Sequence, residues 1–275
     1  MPVIIQFNPR ALSTHLDYAL QRTEQLMRIG LNIPEPDLTT LTIPGKHFGF
    51  GFDTFPVWRP PLAKREFSTW VLTNGFCDIA EAISVMREQV HRVAWKVRRV
   101  DQLVGADESK VLQWEQACER AAQQFNRKTL PDKLDHLGSD YSIHFPPSLV
   151  REIRSINAAR NCFVHREGIV GEKDLNEPGQ LTVYFRRLAL IIGPTDAPRE
   201  IVLPYTKQDG DELRVEERDA SKSFALCALV SFGSADFSGF CWTAHRFGVD
   251  MEKVMLDYCE RLSGNRSWQK IRFER

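Results

Sequence analysis

Arg160, Asn161 and His165 stand together in the stretch Arg160-Asn161-Cys162-Phe163-Val164-His165, and Gly168 follows shortly after. Together they form a small kit for phosphodiester chemistry. A guanidinium clamps a phosphate with an always-charged, bidentate fork. An imidazole moves protons near neutral pH. An amide side chain orients a hydroxyl or a phosphate oxygen. Cys162 lies in the same stretch. It reads either as a thiol nucleophile with His165 as its base, or as a packed core thiol.

These residues need a helix that stops close behind them. Pro146-Pro147 suits the first turn of a helix. Leu149, Ile153, Ile156, Arg160 and Phe163 then recur at spacings of three and four. Arg160 thus falls on an apolar stripe, an odd place for a charge unless a ligand or partner uses it. Positions five apart on a straight helix diverge by ~140°. Arg160 and His165 therefore share one site only if the helix ends near His165, with Gly168 as the C-cap.

Other helices must surround this one. Leu12 to Ile29 carries Leu12, Leu16, Leu20 and Met27 on one face, with Ser13 and Thr14 as caps. The strongest periodicity lies in 62–104, where Phe76, Ile79, Ile83, Met86, Val90, Val93, Val97, Val100 and Val104 form a heptad-like seam. That seam reads as core or as a dimer interface. Gly105 ends it, and Asp107 caps a second helix to Asn126 with Val111, Trp114, Cys118, Ala121 and Phe125 inward. Leu130-Pro131 opens a short turn to Leu137. The last helix, 234–263, has Phe237, Phe240, Cys241, Ala244, Phe247, Met251, Met255 and Tyr258 as its inner face, and Gly264 closes it.

Between the motif helix and the last helix the period changes. Gln180 to Gly193, Ile201 to Leu203, Leu213 to Glu217 and Phe224 to Phe232 read as strands. The expected fold is mainly α: a bundle of four helices (62–104, 107–126, 146–166, 234–263) with a small antiparallel β insert at about 180–232, α+β overall. Residues 1–61 read as an N-terminal helix followed by an extension rich in Pro, Gly and aromatics (Phe48, Phe50, Phe52, Phe55, Trp58), and 62–275 as the helical domain.

Composition narrows the classes. Lys plus Arg number 36 and Asp plus Glu 36, so no global field draws the chain to nucleic acid, and binding must come from local patches. Six scattered cysteines without a C-x-x-C pair argue against zinc and a disulfide framework. Asp135, His136, Asp140 and His144 match no helical metal pair and read as a polar loop. Gly45-Lys46 lacks the spacing of a phosphate-binding Walker loop. No apolar run approaches the ~18 residues of a membrane span, and the N-terminus has no signal-peptide character. The expectation is a cytoplasmic protein without metal or cofactor.

The motif at the end of a bundle's third helix resembles the HEPN superfamily, whose signature is R-x(4–6)-H, often with Asn after the Arg. The resemblance covers about 62–167 and 234–263, not residues 1–60 or the β insert. It implies a metal-independent endoribonuclease, often dimeric, with two motifs meeting in one cleft. His165 would be the general acid or base, Arg160 the phosphate clamp and Asn161 an orienting group. RNA is the implied substrate, and a toxin or defence role under an antitoxin or other regulatory protein is the implied setting. Some HEPN toxins carry a Tyr after the His that a partner modifies; here Arg166 stands there. Arg151, Arg154 and Arg166 along the motif helix, with Arg92, Lys96 and Arg99 on the long helix, are candidate RNA contacts. The competing reading is a non-catalytic interaction or RNA-binding module. In it Arg160 pairs with a carboxylate such as Glu81, His165 caps the helix end, and Arg92/Lys96/Arg99 is a solvated face.

Overall fold

The apolar seam of the longest helix decides the architecture. The computed structural model describes residues 6–8, 10–34, 60–103, 105–193, 198–201, 206, 212–264 and 272–273. The aromatic-rich stretch 35–59 lies outside them, with Gly45-Lys46, as do Val104 and Val202-Leu203. Six α-helices are seen among the described residues: α1 (Arg10–Asn32), α2 (Pro60–Arg99), α3 (Glu108–Asn126), α4 (Leu130–Tyr141), α5 (Pro147–Arg166) and α6 (Ser234–Gly264). On α2, Phe76, Ile79, Ile83, Met86, Val90 and Val97 are buried, while Val93 is half-buried. This stripe faces α1, α3, α5 and α6. Each such side chain contributes ~1.5–3 kcal/mol relative to exposure, which no isolated helix of this kind could recover alone.

Several boundaries differ from expectation for identifiable reasons. Ser13 and Thr14 lie inside α1, not at its cap; the Asn8 carboxamide accepts from the Arg10 amide at 3.0 Å instead. Asp107 caps α3 as expected, accepting from the Lys110 amide at 2.9 Å. Val111 is exposed, because α3 turns Trp114, Cys118, Ala122 and Phe125 inward. α4 runs on to Tyr141 and ends at Ser142 in the left-handed region (φ 55°).

The chain is mainly helical with a small three-stranded antiparallel sheet, order β3-β2-β4. Its strands are β2 (Gln180–Ile192), β3 (Arg199–Ile201) and β4 (Leu213–Ala225); β1 (Gln6–Phe7) and β5 (Arg272–Phe273) form a separate two-residue parallel pair. β2 and β4 pair from Gln180↔Ala225 to Ile192↔Leu213. The separate strands expected at Leu213–Glu217 and Phe224–Phe232 are thus one strand ending at Ala225. Cys227 takes a left-handed conformation (φ 65°), which breaks any strand through 224–232.

The sheet is part of the core rather than a lid. Leu181, Val183, Phe185, Ala189 and Ile191 of β2 are buried, and β2 packs on α5 and α6. Gly239 of α6 lets the sheet in: a Cβ there would stand 2.5 Å from a Phe185 ring carbon. Glu152 of α5 and Arg186 of β2 join the layers by an ion pair at 2.9 Å, with Glu152 only 4% exposed. α1 packs on α2 and α6, burying Leu12, Leu16, Leu20 and Met27. Among the described residues, no helix is long and apolar enough to cross a membrane.

Candidate functional site

The end of α5 is held from three sides. Phe163 meets Phe76 of α2 edge-on at 5.7 Å and Phe232 at 6.0 Å. Glu167 (φ 53°) and Gly168 (φ 84°) are both left-handed, and the Gly168 amide donates back to the Cys162 carbonyl at 2.9 Å. Such a stop satisfies the last carbonyls of a helix. The Val230 amide then donates to the Gly168 carbonyl at 2.8 Å, tying the cap to the segment behind β4.

α5 stays helical through Arg166, one residue beyond His165. The helix thus stops near His165 as expected, with left-handed Glu167 and Gly168 together closing it. Arg160 and His165 both sit on regular helix and diverge by ~140°. Arg160 is half-buried, with Nη1 3.5 Å from Oδ1 of Asn161, and its charge reaches the Cys77 thiol of α2. His165 is exposed. One copy of the chain does not bring these two side chains to a common point. Cys162 is fully buried, and desolvation pushes its thiol up to about 11, as a core thiol rather than a nucleophile.

The other expected RNA contacts are largely occupied. Arg166 pairs with the buried carboxylate of Asp174. Arg92 is held between Glu88 and Glu119, and Lys96 bonds Glu115 at 2.9 Å, so this stripe is an ion-paired seam between α2 and α3 and not a solvated face. The Arg99 guanidinium lies over the Trp95 ring at 4.6 Å. Arg151 is exposed and covers Tyr184 at 4.4 Å; Arg154 is exposed with Asp135 at 4.0 Å.

Because α4 extends to Tyr141, His136 and Asp140 are a helical i,i+4 pair, Nδ1 to Oδ2 3.2 Å, not loop residues. Among the described residues, no three His, Cys, Asp or Glu side chains come together as a metal site.

Asn161 turns toward something else. It borders a cavity of about 490 Å³ between α2, α4 and α5, which also takes Arg87, Lys128, Lys133, Arg154 and Lys173. Of these only Arg154 was evident from the sequence. Arg87 carried a usable signal: it follows Ile83 by four residues and precedes Val90 by three, so it sits on the α2 seam as Arg160 sits on the α5 stripe. Lys128, Lys133 and Lys173 come from segments with no periodic cue.

Comparison with protein-family models finds no matching family, and neither the curated proteins nor the solved structures contain a match.

Proposed function

We propose that this chain is a HEPN-like, metal-independent endoribonuclease whose site is completed by a second copy. The observation that carries the reading is the disposition of α5. Its last turns hold Arg160, Asn161 and an exposed His165 on one firmly capped helix, with the first and last ~140° apart. A resemblance that already places two motifs in one cleft then becomes a requirement: His165 of one copy must work beside Arg160 of another.

In that cleft His165 takes the proton of a ribose 2′-hydroxyl. The oxygen attacks the adjacent phosphorus, and the 5′-oxygen leaves with the proton that the His165 imidazolium gives back. The products are a 2′,3′-cyclic phosphate and a 5′-hydroxyl. Arg160 holds the phosphate and offsets the charge that grows on its oxygens. DNA lacks the attacking hydroxyl and stays intact. Such an activity harms a host cell, which suits a toxin or defence effector kept in check by a regulatory partner.

The test is total RNA incubated with the full chain in excess EDTA, beside His165→Ala, at protein concentrations spanning monomer and dimer. Cleavage by wild type only, rising with the square of concentration and leaving cyclic-phosphate ends, is the expected result. A dimeric wild type that leaves RNA intact overturns it. The unbroken helix through Arg160 favours one rival, a non-catalytic RNA-binding or interaction module with a structural Arg/His pair. In that case Arg160→Ala lowers the melting temperature and no cleavage is there to lose.

A further inference from the structure

The cavity beside Asn161 has an electrostatic problem that the protein does not solve by itself. Arg87 is 3% exposed and Lys133 8%. Arg87 donates from Nε to the Ile83 carbonyl at 3.3 Å, and its Nη1 has no hydrogen-bond partner. Among the described residues no carboxylate forms an ion pair with either cation: Glu81 of α2 is exposed and acts on both only through its charge, and Glu88 is taken by Arg92 and Asn126. The two cations repel each other, and burial with that repulsion lowers the Lys133 ammonium below its usual range. A buried cation without an anion is costly, so a site of this kind is completed by a ligand.

The rest of the lining agrees. Lys128, Arg154 and Lys173 are exposed at the rim. The one carboxylate on the wall, Asp174, is already paired with Arg166. The twelve-residue helix α4 begins there, at Thr129 and Leu130, so its positive end adds to the field. Ser84, Asn157 and Asn161 supply neutral polar groups. No aromatic ring lines the wall, so a base would find nothing to stack on, and recognition falls on the charged part of a ligand.

We infer that this cavity binds a phosphate group, carried either by a small phosphorylated molecule or by the 5′ end of an RNA strand. Arg87 and Lys133 grip the phosphate at depth; Lys128, Arg154 and Lys173 draw it in. The volume, about 490 Å³, lies within the ~300–1,000 Å³ usual for small-molecule sites and exceeds what a bare phosphate fills. The site shares Asn161 with the motif but contains neither Arg160 nor His165, so binding there can be tested apart from cleavage.

The experiment is calorimetric titration of the full-length His165→Ala chain, which cannot consume RNA by the proposed route. The probes are pyrophosphate, a short 5′-phosphorylated RNA and its 5′-hydroxyl twin. Pyrophosphate should bind, more weakly at higher salt. The double variant Lys128→Gln/Lys173→Gln, on exposed positions, should bind it at least about tenfold less tightly. Arg87→Met should abolish binding while melting no lower than its parent, because an apolar side chain of similar length removes an unmatched buried charge. Preference for the 5′-phosphorylated RNA over its twin names the strand end as the source; binding of pyrophosphate alone names a small molecule. The inference is overturned if none of the three probes binds at millimolar concentration. It is equally overturned if the double variant binds as its parent does while Arg87→Met melts far lower.

Discussion

Two faces of helix α2, one toward α3 and one toward α4, carry opposite electrostatics. Toward α3, Arg92 is matched by Glu88 and Glu119 and Lys96 by Glu115, while Arg99 lies over the Trp95 ring. Toward α4, Arg87 and Lys133 are buried without an ion pair, and His91, 2% exposed, lies 5.3 Å from His136 of α4 while stacking on Phe125 of α3 at 4.3 Å. Only the first face, Arg92, Lys96 and Arg99, read as basic in sequence. The difference teaches that a run of lysines and arginines marks a binding surface only where the fold withholds the matching carboxylates. The paired face holds helices together; the unmatched face is where an anion is missing.

Cutting a matched, buried pair should have the largest effect of all. Arg186 bonds Glu152 at 2.9 Å and Glu217 at 2.7 Å, and burial already raises the Glu152 carboxyl despite its partner. Arg186→Met leaves that carboxylate buried alone and should cost ~3–5 kcal/mol in urea denaturation. The contrast with Arg87→Met, which should cost nothing, is the sharpest form of the comparison. Equal losses in the two variants would erase it.

Acid should separate the two faces next. Burial, then the neighbouring His136, lowers His91 to about 4 from the ordinary value near 6.5, and burial lowers His136 in the same direction. The folded state keeps His91 neutral while the unfolded chain protonates it. Its contribution is therefore complete above pH 6.5 and is lost as pH falls toward 4, ~3 kcal/mol in all. His91→Phe keeps the stack on Phe125 and should remove most of that slope when stability is measured at several pH values from 7 to 4. An unchanged slope would place the acid sensitivity elsewhere.

The sequence carried the helices because their driving force is local and periodic. The seams of α2 and α6, and the stripe Leu149–Ile153–Ile156 of α5, are buried as their spacing required. β4 was legible only in pieces. Its residues Leu213–Ala225 are mostly polar, and they form one strand because β2 offers a partner along the whole length. The motif helix ended at Arg166, where the sequence placed it, but what holds that end was legible only in part. That end is fixed by Gly168 and by a strand return some sixty residues away, which no local window contains. The cavity was harder still: its cations come from α2, α4, α5 and two loops, and their lack of partners is a fact of three-dimensional packing. Arg154 was named from its helix, and Arg87 was detectable as a charge on an apolar seam.

The smallest expected effect is the most discriminating for function. The Lys96 and Glu115 side chains are 35% and 50% exposed, so their bond is screened and partly offset by the entropy of two ordered side chains. Lys96→Gln should cost less than ~1 kcal/mol in stability. It should also leave RNA binding unchanged, since Glu115 already neutralises the ammonium that would meet a phosphate. Lys128→Gln is equally mild for the fold, because Lys128 is exposed, yet it removes a rim charge with no acid opposite. The two variants, titrated side by side with 5′-phosphorylated RNA, weigh one lysine against another with folding held constant. A loss confined to Lys128→Gln upholds the division of α2 into a structural face and a binding face. A comparable loss in Lys96→Gln would mean that RNA pulls Lys96 away from Glu115, and that the paired seam opens on binding.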